Sequence, residues 1–519
     1  MNHASRTESC ADLCRREFLR RAAQAGVLTP FLALERRSVL AGERPRGASP
    51  STLRTEIPHG SVESLAKLIQ SRKVSSTELV AACLRRVEQA NPRLNAVVLL
   101  SPERALREAK DADNALSRKN VKGPLHGVPM TISDSFDTAG MISTGGTLGR
   151  KRYIASRDAT VVARLRKAGA IVLGKTNVGE LSLMDQTDNL VYGRTFNPYN
   201  PTCIPGGGAG GAAAIVASGA SPFDIAGDIV GGLRLPAHFC GVAAIKPTRG
   251  LVPRTGHIID YGGICDPYNQ IGLVARWVGD LALLLPIIAG QDFRDAATVP
   301  FPLRKPEETD LKTLRLVYYV SNADESAADA ETSEIIRGAA GFLGSTVLSV
   351  KEDCPRDIMK EAEEIRARFD GADDFAWVKR LLGKHGTTST HPGLLLMGKV
   401  VTSAEFTELA ERLDSCRSRL LQWFSNYDVI LCPVDAQPAR PYRDESGSAP
   451  QYPRDYGYTG IFNLTGWPAA VVRAGTSPRG LPIGLQVVGR PWREDVVLAV
   501  ARFVESRFGG WKPQADIKP

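Results

Sequence analysis

The sequence has no apolar run long enough to cross a bilayer. The nearest candidate, Ala22 to Leu34, is about thirteen residues against the ~20 that a spanning helix needs, so no stable membrane span is expected. Paired cysteines are missing too. The nine present (Cys10, Cys14, Cys83, Cys203, Cys240, Cys265, Cys354, Cys416, Cys432) are odd in number and never form CxxC, which excludes a disulfide framework and a zinc site. No dense Lys/Arg stripe or basic-aromatic interleaving accompanies the net charge of +9. Three units of that charge come from Met1–Gly42, with its 7 arginines and 4 acids, and a nucleic-acid partner is not expected. No metal-ligand spacing appears, and no cofactor is implied. There is no low-complexity tract. With 43% hydrophobic and 23% charged residues, 49 Gly and 33 Pro, the composition is that of a globular protein with a large core and many turns.

What is present begins with Arg15-Arg16-Glu17-Phe18-Leu19-Arg20-Arg21 followed by the mild apolar stretch, a pattern that resembles a twin-arginine export signal. The expectation is therefore a signal over 1–42 and an exported protein of the periplasm or cell envelope. A polar linker (43–59), a main domain (60–508) and a short tail (509–519) follow. Helical spacing of Leu65, Leu68 and Ile69, then of Leu79, Ala82 and Val87, predicts two helices between Ser61 and Ala90, the second capped at Thr77. A helix over Pro102–Ser117 precedes a buried strand at Gly127–Ile132. A helix over Ala159–Ala168 precedes another strand at Ala170–Leu173. Strands alternating with helices predict an α/β protein with a single large mixed β-sheet covered by helices on both faces. After Leu314 comes a helix-rich insertion with helices at Ile358–Arg366 and Ala404–Phe424. A strand at Val429–Pro433 restores the rhythm, and a helix over Glu494–Phe508 closes the domain.

Several motifs occur in order from Gly60 to Phe508. They are Leu125-His126-Gly127-Val128-Pro129, Gly174-Lys175-Thr176-Asn177, Tyr192-Gly193-Arg194-Thr195, the glycine run Pro205–Gly211, Leu233-Arg234-Leu235-Pro236-Ala237, Lys246-Pro247-Thr248 and Phe462-Asn463-Leu464-Thr465-Gly466-Trp467-Pro468. Together they resemble the amidase signature family, the Ser-cisSer-Lys amidohydrolases. The resemblance implies that family's fold and a catalytic lysine, a bridging serine and a nucleophilic serine. A serine hydroxyl attacks an amide only if its proton is removed, which a buried neutral lysine can do through the bridging serine, and backbone N–H groups then receive the oxyanion.

Matched residue by residue, the resemblance places Ser133 at the lysine, Gly208 at the bridging serine and Gly232 at the nucleophile. A hydroxyl is no base near neutral pH, and glycine has no side chain to react. The resemblance thus implies a catalytically inactive scaffold. The turn formed by Ile229, Val230, Gly231 and Gly232 keeps its N–H groups, which suit the oxygen of a small amide or carboxylate ligand. Asp228 and Arg234 bracket that turn and are expected to hold it, while Asp188 and Tyr192 are expected beside the cleft. The alternative is an active amidohydrolase that recruits Ser133, Ser143 or Cys240. A transamidosome-type role is disfavoured by the export signal.

Other patterns read as structural. Gly206-x-Gly208-x-x-Gly211 matches a dinucleotide fingerprint, but no strand precedes it. His238 and Cys240 read as packed residues rather than a Cys-His pair. Ser133 and Asp134 would point to opposite faces of a strand, and Lys175 reads as scaffold.

Overall fold

The computed structural model describes residues 59–259, 263–322, 327–394, 396, 398–442 and 457–513. The expected export signal, the linker up to residue 58 and residues 514–519 lie outside the described residues. Among the described residues, the eleven strands are β1 (Val97–Leu100), β2 (Pro129–Ser133), β3 (Ile171–Thr176), β4 (Phe223–Asp228), β5 (Ala243–Lys246), β6 (Gln270–Ala275), β7 (Arg315–Tyr318), β8 (Ser349–Glu352), β9 (Val429–Pro433), β10 (Ala469–Thr476) and β11 (Pro482–Gly489). Eight form one mixed sheet in the order β4-β6-β5-β10-β11-β9-β7-β8. Its β9-β7-β8 end is parallel and the rest is antiparallel.

Both faces of this sheet are covered, and the strand residues show why. Successive side chains on a strand point to opposite sides. Leu273 and Val472 join the core under the helices Val278–Ile288, Ala330–Gly344 and Glu494–Phe508, while their neighbours Val274 and Val471 pack against Gly210–Ala217 and Arg234–Cys240. The α/β architecture with a large helix-covered mixed sheet is thus as expected from the strand-helix alternation.

The strands expected at 127–132 and 170–173 form, but with β1 they make a small separate sheet, β1-β3-β2. No ladder joins it to the large sheet. Side chains bridge the gap between β2 and β4 instead: the Thr131 N–H donates to Ser221 Oγ at 3.1 Å, and the Thr131 and Thr176 hydroxyls donate to Asp224 Oδ2 at 2.6 and 3.0 Å. The Ser221 hydroxyl here takes up one backbone N–H of β2, and the Asp224 carboxylate ties the hydroxyls of the small sheet to β4.

The helix expected to be capped by Thr77 is Ser76–Leu94, and its cap is Ser75 in a capping box with Glu78. The Thr77 hydroxyl donates to Asp113 Oδ2 at 2.6 Å. At the other end Trp511, three residues past the expected domain boundary, is buried, and its Nε1–H donates to the Ala217 carbonyl at 2.9 Å. The start of the expected tail is therefore part of the fold. Among the described residues, no helix is long and apolar enough to cross a membrane.

Candidate functional site

The turn after β4 is held by one buried ion pair. Arg234 Nε and Nη2 donate to Asp228 Oδ2 and Oδ1 at 2.9 and 3.0 Å, and both side chains have no exposed surface. Burial opposes ionisation of Asp228. The Arg234 guanidinium and its hydrogen bonds nevertheless outweigh it, with help from Lys246 and the Asn463 amide, and hold the carboxyl down at about 2. The remaining Arg234 donors reach Gln486 Oε1 at 2.7 Å and Asn463 Oδ1, and Asn463 Nδ2 donates back to the Asp228 carbonyl at 2.9 Å.

The four N–H groups expected to receive a ligand oxygen are not equivalent. That of Gly231 donates to Asp228 Oδ1 at 2.8 Å, so Gly231 belongs to the supporting network and is removed from the set. Gly231 also has φ +108, and a Cβ there would lie 2.5 Å from Thr459 Oγ1, so only glycine fits. Among the described residues, no acceptor takes the N–H of Ile229, Val230 or Gly232, and these three are only partly buried. Thr459 fixes the turn from the far side by donating its hydroxyl to the Val230 carbonyl at 2.7 Å.

Gly208 and Gly232, two of the three positions that the resemblance matches to a triad, meet. The Ala209 N–H donates to the Gly232 carbonyl at 2.8 Å, and a Cβ built on Gly232 would lie 3.7 Å from Gly208 Cα. The glycine loop and the turn thus pack backbone against backbone, with no side-chain oxygen between them. Ser133 ends β2, buried, with its Oγ 2.8 Å from Ser135 Oγ, and no hydrogen bond joins it to either glycine. The described peptide bonds are all trans.

The substitute nucleophiles and bases are spoken for. Burial pushes the Lys175 ammonium down to about 8, against the pull of Asp134. Its donors go to the Phe136 carbonyl and to Thr138 Oγ1 at 3.0 Å. Ser143 Oγ lies 3.4 Å from Lys175 Nζ, the nearest thing to a Ser-Lys pair, yet both residues are sealed from solvent. Asp134 is bonded by Thr144, on the Lys175 side of the strand. His238 and Cys240 lie in one short helix with separate partners. The His238 ring accepts from the Gly484 N–H at 2.7 Å and faces the Gln437 carbonyl at 3.1 Å, and burial pushes it down to about 4. Burial pushes the Cys240 thiol up, away from the nucleophilic thiolate.

Asp188 does not stand open to a ligand. Its carboxylate accepts from Arg194 Nε at 3.0 Å, and the His391 imidazole lies 3.7 Å away on a segment that crosses from the insertion. Tyr192 is fixed by its backbone, its N–H to Asn189 Oδ1 at 2.8 Å and its carbonyl accepting from Asn95 at 2.9 Å. A cavity lined by Arg249, Arg254, Asp266, Asn269 and Asp295 lies apart from Gly232, and Arg254 is paired with Asp266 and Asp295 at 2.6 and 3.0 Å. Among the described residues, no group of three or more His, Cys, Asp or Glu could hold a metal ion.

A large helix-covered mixed sheet, with an Asp-Arg-braced glycine turn meeting a glycine-rich loop, places the protein in the α/β class. The sequence profile of the Amidase family matches residues 78–498, and the chain belongs to that family. It is 32% identical over 514 residues to fatty-acid amide hydrolase 2-B of Danio rerio, covering 93% of this chain and 95% of that protein. It is also 32% identical over 493 residues to a glutamyl-tRNA(Gln) amidotransferase component of Chloroflexus aurantiacus, covering 89% and 99%. Among solved structures, 6-aminohexanoate cyclic dimer hydrolase with its substrate superposes with a TM-score of 0.78 at 27% identity, covering 89% of this chain and 100% of that one.

Asn463, Gln486, Thr459 and Asp224 complete the site's surroundings, and none of them is a candidate on sequence grounds alone. Gln486 is the one polar residue in the run Ile483–Val488, a signal that could have marked it. Asp224 is wholly buried, and burial pushes its carboxyl up to about 7 despite the Thr131 and Thr176 hydroxyls. The folded chain therefore holds this proton more tightly than the unfolded chain. The resulting stabilisation is complete below the ordinary Asp value and is lost as pH rises through about 7. Urea unfolding of wild type and Asp224→Asn across that range is expected to show the wild type losing ground to the variant as pH rises. Parallel profiles would contradict the assignment.

Proposed function

We propose that this chain is an amidase-family scaffold that binds a small amide or carboxylate without cleaving it. The observation that carries the reading is the pairing of Gly208 with Gly232 beside the partly buried residues Ile229, Val230 and Gly232, whose N–H groups have no acceptor among the described residues. Those three donors suit a carbonyl or carboxylate oxygen, while neither glycine supplies an attacking atom or a proton relay. Titration calorimetry of the full chain with a panel of primary amides, anilides and matched acids is expected to give saturable binding with no product. Absence of binding across the panel defeats the reading.

Residues 1–42 serve, in the same proposal, as a twin-arginine export signal. Arg15→Lys together with Arg16→Lys is expected to leave the protein in the cytoplasmic fraction of a bacterial host, with wild type in the periplasmic fraction. Equal distribution of the two would remove export from the account.

A further inference from the structure

The two faces of the small sheet near the site carry different chemistry. Ile132 pairs in register with Lys175, and Ser133 pairs with Thr176. Side chains alternate along each strand. Lys175 and Asp134 therefore share one face, 4.0 Å apart, while Thr131, Ser133 and Thr176 share the other. Asp224 reaches across from β4 to that second face. Its Oδ2 accepts from Thr131 and Thr176, on either side of Ser133, and its Oδ1 has no hydrogen-bond partner among the described residues. The other neighbours of Asp224 bring no charge to it: its register partner on β6 is Val274, and the helix packed on β4, Gly210–Ala217, is wholly apolar. The charge of Lys175 reaches Asp224 through the sheet, but its side chain lies on the opposite face and its ammonium donates to Phe136 and Thr138.

We infer that Asp224 is a positioning residue that holds the small sheet against the large one at Ser133, and that a lysine returned to position 133 would be bound by it as an ion pair instead of standing as a neutral base. This rests on the family matching that puts the missing lysine at Ser133. The loss of the lysine is then secured by a second residue. A carboxylate with an unmet oxygen on that face favours the charged ammonium, whereas a base must be uncharged.

The test is a double-mutant cycle on the full-length protein, by urea unfolding, with Ser133→Lys and Asp224→Asn singly and together. Ser133→Met in both backgrounds serves as a control of similar length without charge. At about pH 8, above the value of about 7 to which Asp224 is pushed, the introduced lysine and Asp224 are expected to stabilise each other at least tenfold in the unfolding constant, about 1.4 kcal/mol, and the coupling should fade at about pH 5. Ser133→Lys should also be at least as stable as Ser133→Met when Asp224 is present, and less stable when Asn replaces it. Coupling within twofold of zero, or of unfavourable sign, overturns the inference. So does a Ser133→Lys chain that fails to fold where Ser133→Met folds, and so does failure of both, since the face then has no room for the side chain. Amide turnover by the wild type would defeat the binding reading and leave this coupling to be judged by its own result.

Discussion

Arg234→Ala is expected to cost the fold about 3 to 5 kcal/mol, because removing one member of a buried pair leaves Asp228 charged and alone. The size follows from how much the guanidinium does. It satisfies both Asp228 oxygens, and it also reaches Gln486 on β11 and Asn463 of the helix Gly460–Leu464. One side chain thus joins the edge strand, the sheet centre and the segment backing the turn. Arg234→Lys is expected to recover only part of the loss, since a single ammonium cannot reproduce the forked contact with the carboxylate. The check is the urea midpoint with the slope unchanged. A loss below about 1 kcal/mol would show that the network is not what holds the turn.

On the proposed reading, in which Ser133, Gly208 and Gly232 stand at the triad positions, introducing one family residue at a time is expected to give no hydrolysis. Groups of a triad act as a unit, so a chain missing two of three retains only binding and oxyanion stabilisation, about 10³ to 10⁴ over water in serine proteases. Gly232→Ser is the less strained change, its new Cβ meeting the Gly227 carbonyl oxygen at a close 3.3 Å with no unfavourable φ. Gly208→Ser is the more strained: at φ +22 its Cβ would stand 3.0 Å from the Gly232 carbonyl oxygen, and strain of about 1 to 3 kcal/mol is expected. Gly232→Ser should therefore fold normally and stay unlabelled by a fluorophosphonate probe, while Gly208→Ser should fold less stably. Labelling of Gly232→Ser alone would mean that some group in the native chain already acts as base.

Much of the frame is legible in the sequence because its signals are local. The strand Val429–Pro433 and the helices Pro102–Ser117 and Glu494–Phe508 stand where apolar runs and periodicity place them. The cap of Ser76–Leu94 falls at Ser75 and not at Thr77 because three hydroxyl residues adjoin there, and only the Ser75–Glu78 spacing completes the reciprocal box. β4 is hidden, since Phe223–Asp228 mixes two aspartates with apolar residues, and both aspartates have buried partners far along the chain. Nothing in the pattern of Pro129–Ser133 tells which sheet it joins, because the division between sheets is made by Thr131, Ser221 and Asp224 in space. The resemblance sets Asp228 and Arg234 on either side of the turn, and in the folded chain the two form a buried ion pair. The loss of the Gly231 N–H to Asp228 depends on the turn's actual path.

Amine or ammonia release by the unaltered protein is the decisive measurement. Purified wild type, incubated with simple carboxamides and anilides at neutral pH, is predicted to release product no faster than the matched protein-free solution. Steady multiple turnover that saturates with substrate and is blocked by a fluorophosphonate would contradict it.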